Sequence, residues 1–298
     1  MWIRSSGALG ENVFQITTAV SSHMLIVGHA SAIVDASIAA VADHLIEVCE
    51  EVIGKEDTVD FVLLTHADYD TVGGVAAFRK RYPECELVVG AQTAQILLDQ
   101  NKVQEYYKAN LELAKAMNVE FDISEQDWKN SLVVTRTLGD GDGIDLGEGV
   151  QLRLVSTPGY RDDAACYYVQ PDSALACCES IGAYGGRDLV MNCFTTDYQQ
   201  YLSSIQRLSA LEIKVLSFPH SGSITGELVN KYFMDAQGKA LEFRQSVTER
   251  LQQGELIEEV VAALLADWQT LGLAPRGPFA NEQELALTNM VKAIAKLR

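Results

Sequence analysis

The segment that most limits what this chain can fold into is Val59-Asp60-Phe61-Val62-Leu63-Leu64, together with the residues that follow it. A short apolar run rich in β-branched and aromatic residues reads as a strand covered on both faces, and such strands belong to parallel sheets with helices packed on them. The flanking pattern agrees. Strands are expected over 13–18, 23–27 and 32–35, with Ser and Gly turns between them. Ile38, Val41, Leu45, Ile46, Cys49 and Ile53 fall at helical spacing and predict a helix over 38–53. A second helix is expected over 73–81, a strand over 86–89, and a helical stretch over 94–117 carrying Tyr106 and Tyr107. Strands resume over 133–137, 150–156, 166–169, 174–177 and 214–217. This alternation predicts an α/β layered domain. The stretch Gly139-Asp140-Gly141-Asp142-Gly143 lacks the spacing and closing Glu of a calcium loop and reads as a turn.

Beyond Gly226 the strand pattern stops. Leu256, Ile257, Val260, Val261, Leu264, Leu265 and Trp268 recur at three and four, which predicts a helix with an apolar stripe in need of a partner surface. A break is expected over 273–278, and Asn281, with Glu284 three residues on, reads as the cap of a last helix. Packing on its own domain, closing a pocket and forming a homodimer are all open to this helical tail. Composition narrows the partners: 23 Lys and Arg against 41 Asp and Glu give a net charge of -18, without a basic cluster, which disfavours nucleic acid. Neither a long apolar run nor a secretory leader pattern is visible, so no membrane span and a cytoplasmic location are expected. Six cysteines without a CxxC pair predict reduced, mostly buried thiols.

Chemistry concentrates after the buried strand, in Thr65-His66-Ala67-Asp68-Tyr69-Asp70-Thr71-Val72-Gly73-Gly74. One imidazole and two carboxylates within five residues form a set that binds divalent metal. The segment resembles the Thr-His-x-His-x-Asp-His-x-Gly-Gly signature of the metallo-β-lactamase superfamily. Three more landmarks follow in order: Thr157-Pro158-Gly159-Tyr160 resembles the Thr-Pro-Gly-His loop, Leu175-Ala176-Cys177-Cys178-Glu179 the strand ending in Gly-Asp, and Ser217-Phe218-Pro219-His220-Ser221-Gly222 the Pro-Gly-His-Gly loop. The resemblance covers about residues 10 to 225. It implies an α/β fold, the four-layer αββα sandwich, over 1–226, with a helical insertion near 94–118 and a helical appendage over 227–298.

It also implies where metal would sit. The family's seven positions hold His, His, Asp, His, His, Asp and His, and this chain has His66, Asp68, Asp70, Thr71, Tyr160, Glu179 and His220, matching at three. The ligands implied are His66, Asp68, Asp70, Tyr160, Glu179 and His220, with Asp70 and Tyr160 as the catalytic candidates. Four oxygen donors against two nitrogens favour iron or manganese over zinc, as one or two divalent or trivalent ions, or none where the site has degenerated. A narrower similarity, over 104–117, 159–168 and 239–268, is to the thioesterase type of bacterial quinolone-signal synthesis.

Three functions remain open: a hydrolase of a thioester, ester or lactone, a non-catalytic module that binds a small molecule or partner, and a di-iron oxidoreductase. His23, His29 and His44 lie outside the landmarks and read as core or surface histidines. Ser221 and Ser223 lack a Gly-x-Ser-x-Gly elbow. Cys177 shares a strand face with Glu179 by period two, and Tyr106, Tyr107, Tyr184 and Trp268 read either as a pocket lining or as plain core.

Overall fold

The computed structural model describes residues 1–186, 189–270 and 280–297. The chain forms two compact units, each drawn from separate segments: Met1–Ser156, Asp163–Cys178 and Glu212–Val229 make the first, and Thr157–Asp162, Glu179–Leu211 and Asn230–Arg298 the second.

Among the described residues, the first unit holds two seven-stranded sheets. One runs, in spatial order, Gly7–Ala8, Val13–Thr17, Ser22–Val27, Ser31–Val34, Phe61–Leu64, Glu86–Gly90 and Arg136–Leu138. Its opening strands form an antiparallel meander, and its pairings from Ser31–Val34 onward are parallel. The other runs Trp2–Ile3, Gly222–Thr225, Val215–Phe218, Ala174–Ala176, Ala165–Gln170, Val150–Ser156 and Gly143–Gly147. Side chains that alternate along both sheets meet in one core that includes Met24, Ile26, Leu63, Val88, Leu152, Leu154, Tyr167 and Val169. The outer face of the first sheet is covered by helices. Leu45, Ile46 and Cys49 of helix Ala42–Ile53, Val75 and Phe78 of Val75–Arg81, and Trp128 of Glu125–Ser131 pack on Ile33, Val62, Leu64, Leu87 and Val89.

In the second unit the rings of Tyr198 and Tyr201, on helix Tyr198–Ser209, pack on Phe194, as does Phe243. Tyr232 sits edge-on to Tyr184, and its hydroxyl donates to Ile181 O at 2.8 Å. Tyr184 is thus part of an aromatic cluster. Helices Ile257–Thr270 and Ala280–Ala295 pack together. Val260, Val261 and Leu264 of the expected stripe are buried. Leu256 is exposed because it precedes the helix, where the Glu259 side chain accepts from its backbone N–H. The expected break over 273–278 lies outside the described residues. The last helix includes Asn281 instead of starting after it.

Several expected boundaries move for local reasons. The stretch 94–117 is two helices, Ala91–Leu97 and Gln100–Ala116, because the Asp99 side chain accepts from Asn101 N at 2.9 Å and starts a new helix. Asp142 and Asp140 accept from Gly139 N and Ser156 N, so the aspartates of the glycine-rich stretch serve a turn. All six cysteines are free thiols, and five are buried. No helix among the described residues is long and apolar enough to cross a membrane.

Gly73 and Gly74 do not begin the helix over 73–81; they join helix Tyr69–Val72 to helix Val75–Arg81. A Cβ at Gly73 would lie 2.6 Å from Ala39 N, and one at Gly74 2.3 Å from Ala36 O. These positions need closeness of backbones rather than unusual dihedrals. Gly74→Ala is therefore expected to lower the unfolding free energy by about 1–3 kcal/mol. Gly238→Ala, in a helix with open space around it, should be neutral or stabilising. Urea midpoints check this, and a wild-type midpoint for Gly74→Ala would refute the close approach.

Candidate metal centre

The site starts from the ends of two parallel strands. Ser31–Val34 and Phe61–Leu64 pair in parallel with Val34 beside Leu63, so Asp35 and Thr65 leave the sheet together. The Asp35 carboxylate accepts from Thr65 N at 2.8 Å and from Thr65 Oγ1 at 2.9 Å. Thr65 Oγ1 also stands 2.9 Å from His66 Nδ1. Since the threonine hydroxyl gives its proton to Asp35, it accepts the Nδ1 proton of His66. The ring is thereby held as the tautomer whose Nε2 can act as a ligand. Asp35 itself adopts φ 59°, a left-handed conformation that brings its side chain back over the loop.

Asp35 is buried, and burial pushes its carboxyl up to about 7, opposed by the His66 imidazole and the two Thr65 bonds.

The loop 66–71 is pinned from other sides too. Ala67 N donates to Asp163 Oδ2 at 2.8 Å, and Ala67 O accepts from the buried Tyr106 hydroxyl at 2.8 Å. Asn110 donates to Tyr69 O and accepts from Ala39 N, tying the loop to helix Gln100–Ala116. Tyr106 is core and anchor at once.

Asp68 is the N-cap of the short helix Tyr69–Val72, with its carboxylate accepting from Tyr69 N at 2.8 Å. Thr71 completes the cap: its Oγ1 accepts from Asp68 N at 3.0 Å and lies 2.8 Å from His66 O, to which it donates. The residue that replaces a family histidine therefore has a backbone-capping job.

Ligand atoms of His66, Asp68 and Asp70 lie within 4.8 Å of one another. His220 approaches from the loop after strand Val215–Phe218, with its Nε2 3.6 Å from Asp70 Oδ2. Its Nδ1 lies 3.2 Å from Val20 O, a carbonyl that can only accept, so Nε2 is the ligand nitrogen here as well. Two carboxylates gathered in a part-buried loop repel each other, and a cation between them offsets this. The chemistry of the donor set, two oriented imidazoles and two carboxylates, fits a metal ion.

Tyr160 and Glu179 belong to the second unit. There Tyr160 O accepts from the Thr195 hydroxyl, and Glu179 O from Gly182 N at 2.8 Å. His29 and His44 are exposed, Cys177 is buried with its thiol donating to Ser217 O, and Trp268 is half-buried. Sequence reasoning missed Asp35, Asp163, Asn110 and Thr65 as supports. Asp35 had a visible signal, an acid closing the apolar run Ala32-Ile33-Val34; Asp163 and Asn110 had none.

The chain belongs to the metallo-β-lactamase superfamily, whose sequence profile matches residues 17–220. Its fold is of that family's α/β sandwich class with a helical C-terminal part, and the superfamily usually binds divalent metals. It is similar to the metallo-β-lactamase fold-containing protein ST1585 of Sulfurisphaera tokodaii, at 22% identity over 184 residues, 61% of this chain and 68% of that protein. The crystal structure of that archaeal protein superposes with a TM-score of 0.55 at 17% identity, covering 93% of both chains. A B3 metallo-β-lactamase with an active-site glutamic acid gives 0.55 at 15% identity over 85% of this chain and 93% of that one. The Flv1 flavodiiron core from Synechocystis gives 0.55 at 14% identity over 82% and 62%. These structural likenesses carry the fold alone.

His23, beside this centre, has a core role. Its Nδ1 donates to Val34 O at 3.0 Å and its Nε2 lies 2.7 Å from Ser21 Oγ, which also meets Ser37 and Thr18. Burial pushes its imidazole down to about 4. Between pH 6.5 and 4 the unfolded chain therefore binds a proton that the native state does not, so stability present above this window is lost as pH falls through it. His23→Gln should remove that dependence. The difference in unfolding free energy between wild type and variant is expected to fall by about 3 kcal/mol from neutral pH to pH 4. Urea titrations at stepped pH check this, and a pH-independent difference would refute a neutral His23.

Proposed function

We propose that this protein is a metal-dependent hydrolase of a thioester, ester or lactone. The observation that carries the reading is the gathering of His66, Asp68 and Asp70, with His220 against Asp70, while both imidazoles are held in the ligand tautomer. Two imidazoles and two carboxylates suit iron, manganese or zinc. The bound ion would supply Lewis acidity, lowering the pKa of water and polarising a carbonyl. Asp70 faces His220 and is part-exposed, so its carboxylate can orient an attacking water and accept its proton. The Asp35–Thr65 clamp keeps the His66 ring from turning, and the Asp68–Thr71 cap fixes the backbone that carries Asp70.

The narrower resemblance to the quinolone-signal thioesterase type makes aryl-acyl thioesters the first substrates to try. The free state of all six thiols supports a cytoplasmic setting. A di-iron redox reading is favoured by one observation, the carboxylate Asp68 at the second position of the motif, and oxygen or peroxide consumption with a reductant would reveal it.

The test is hydrolysis by metal-loaded protein across acyl-CoA thioesters, simple esters and lactones. Asp70→Asn is expected to reduce turnover of the best substrate by about 10²–10⁴-fold. A flat panel in protein shown to hold metal would refute the hydrolase. Absence of metal after loading with zinc, manganese and iron would instead indicate a binding module.

A further inference from the structure

His66 has another neighbour with a ligand atom. Cys178 follows strand Ala174–Ala176, is fully buried, and its sulfur lies within 4.8 Å of a ring nitrogen of His66, in a group apart from that of His66, Asp68 and Asp70. Both residues belong to the first unit. In the resembling motif this position is the glycine of Gly-Asp, so the sulfur is this chain's own departure. Cys177 beside it is engaged differently, donating to Ser217 O at 2.9 Å.

Three family imidazoles are replaced here, by Asp68, Thr71 and Tyr160, and Thr71 is used up in the helix cap. A zinc-like ion left with carboxylates and two imidazoles lacks the soft donors it binds best, and a thiolate supplies one. A buried thiol in neutral surroundings stays protonated, but next to a cation it ionises, because the two charges cancel where water cannot solvate either.

We infer that Cys178 is a thiolate ligand of an ion that His66 helps to hold, so that nitrogen and sulfur meet at one metal. The inference rests on the metal site proposed above. On binding, the S–H bond breaks, its proton goes to solvent, the sulfur–metal bond forms, and no electron changes owner. A sulfur donor ranks zinc, cobalt(II) and iron above manganese.

Cobalt(II) titration of the full-length wild-type protein, followed by absorption, separates this inference from the reading beneath it. Visible d–d bands report cobalt among nitrogen and oxygen donors; a near-ultraviolet charge-transfer band reports sulfur. The expected result is both bands in wild type and in Cys177→Ser, with the charge-transfer band lost and the d–d bands kept in Cys178→Ser. Visible bands without charge transfer in wild type would overturn the thiolate and leave the hydrolase standing. No cobalt bands at all would overturn both. Should Cys178→Ser not fold, zinc-edge X-ray absorption of the wild type decides: a sulfur scatterer at about 2.3 Å supports the ligand, and its absence overturns it.

Discussion

The site depends on one register, the parallel pairing of Ser31–Val34 with Phe61–Leu64. Parallel strands end on the same edge of a sheet, so the chain leaving one strand must share space with the chain leaving the next. Here Val34 stands opposite Leu63, and Asp35 N donates to Leu63 O. That single offset puts the Asp35 carboxylate over Thr65, where it accepts hydrogen bonds from both the backbone N–H and the hydroxyl. A one-residue slip would turn Leu63 out of the inter-sheet core and Leu64 into it, exchanging the two faces that the sheet core and the helical layer each need. Hydrophobic burial thus fixes the position of a polar clamp that itself buries little apolar surface.

The clamp has an electrostatic cost. A carboxyl that deep is pushed toward its neutral form, and what keeps it useful as an acceptor is the set of donors converging on it, with the His66 imidazole behind them. The same logic holds on the other side of the loop, where Asp163 accepts from Ala67 N and lies within reach of the Thr93 hydroxyl. Buried acids here serve backbone N–H groups that no strand or helix satisfies. The price is a loop with little freedom, and rigid placement is what a ligand set needs.

Much of this was legible in the sequence. The run 59–64 announced a doubly covered strand, and His66, Asp68 and Asp70 stood out as a set the fold brings close together, because strand periodicity and ligand chemistry are both local. What stayed hidden was non-local. Strand Gly143–Gly147 offers only Ile144 and Leu146 between glycines and is defined by its packing, whereas helix Tyr198–Ser209 had a visible signal in Tyr198, Tyr201, Leu202, Ile205 and Leu208 at helical spacing that went unread. Asn110 looked like one more polar residue on a helix, yet it is fully buried and bridges Ala39 and Tyr69. Thr71 could be recognised as a lost ligand, but its capping-box role needed the helix start at Asp68 to be known. Boundaries moved where a side chain captured the backbone, as Asp99 does.

The missing imidazoles take on a different meaning once the loop's hydrogen bonds are known. A histidine at position 71 would project from the third residue of a helix whose first turn is closed by a hydroxyl. Thr71 gives that turn a bond to Asp68 N and another to His66 O, so the exchange trades a ligand for a stiffer ligand-bearing loop. Such a trade is tolerable only if affinity is recovered from donors that remain or from a new one. The oriented rings of His66 and His220 and the Asp70 carboxylate are the donors that remain, with Asp68 a carboxylate in place of an imidazole. Cys178, entering from the second sheet beside His66, offers a sulfur at a position where the resembling motif has glycine. The first sheet's loop brings together His66, Asp68 and Asp70, and the second sheet's loops bring His220 and, in the inference drawn above, the sulfur of Cys178. Nitrogen, oxygen and sulfur donors offered together would suit an ion of intermediate softness, because each hard donor on such a site is balanced by a softer one.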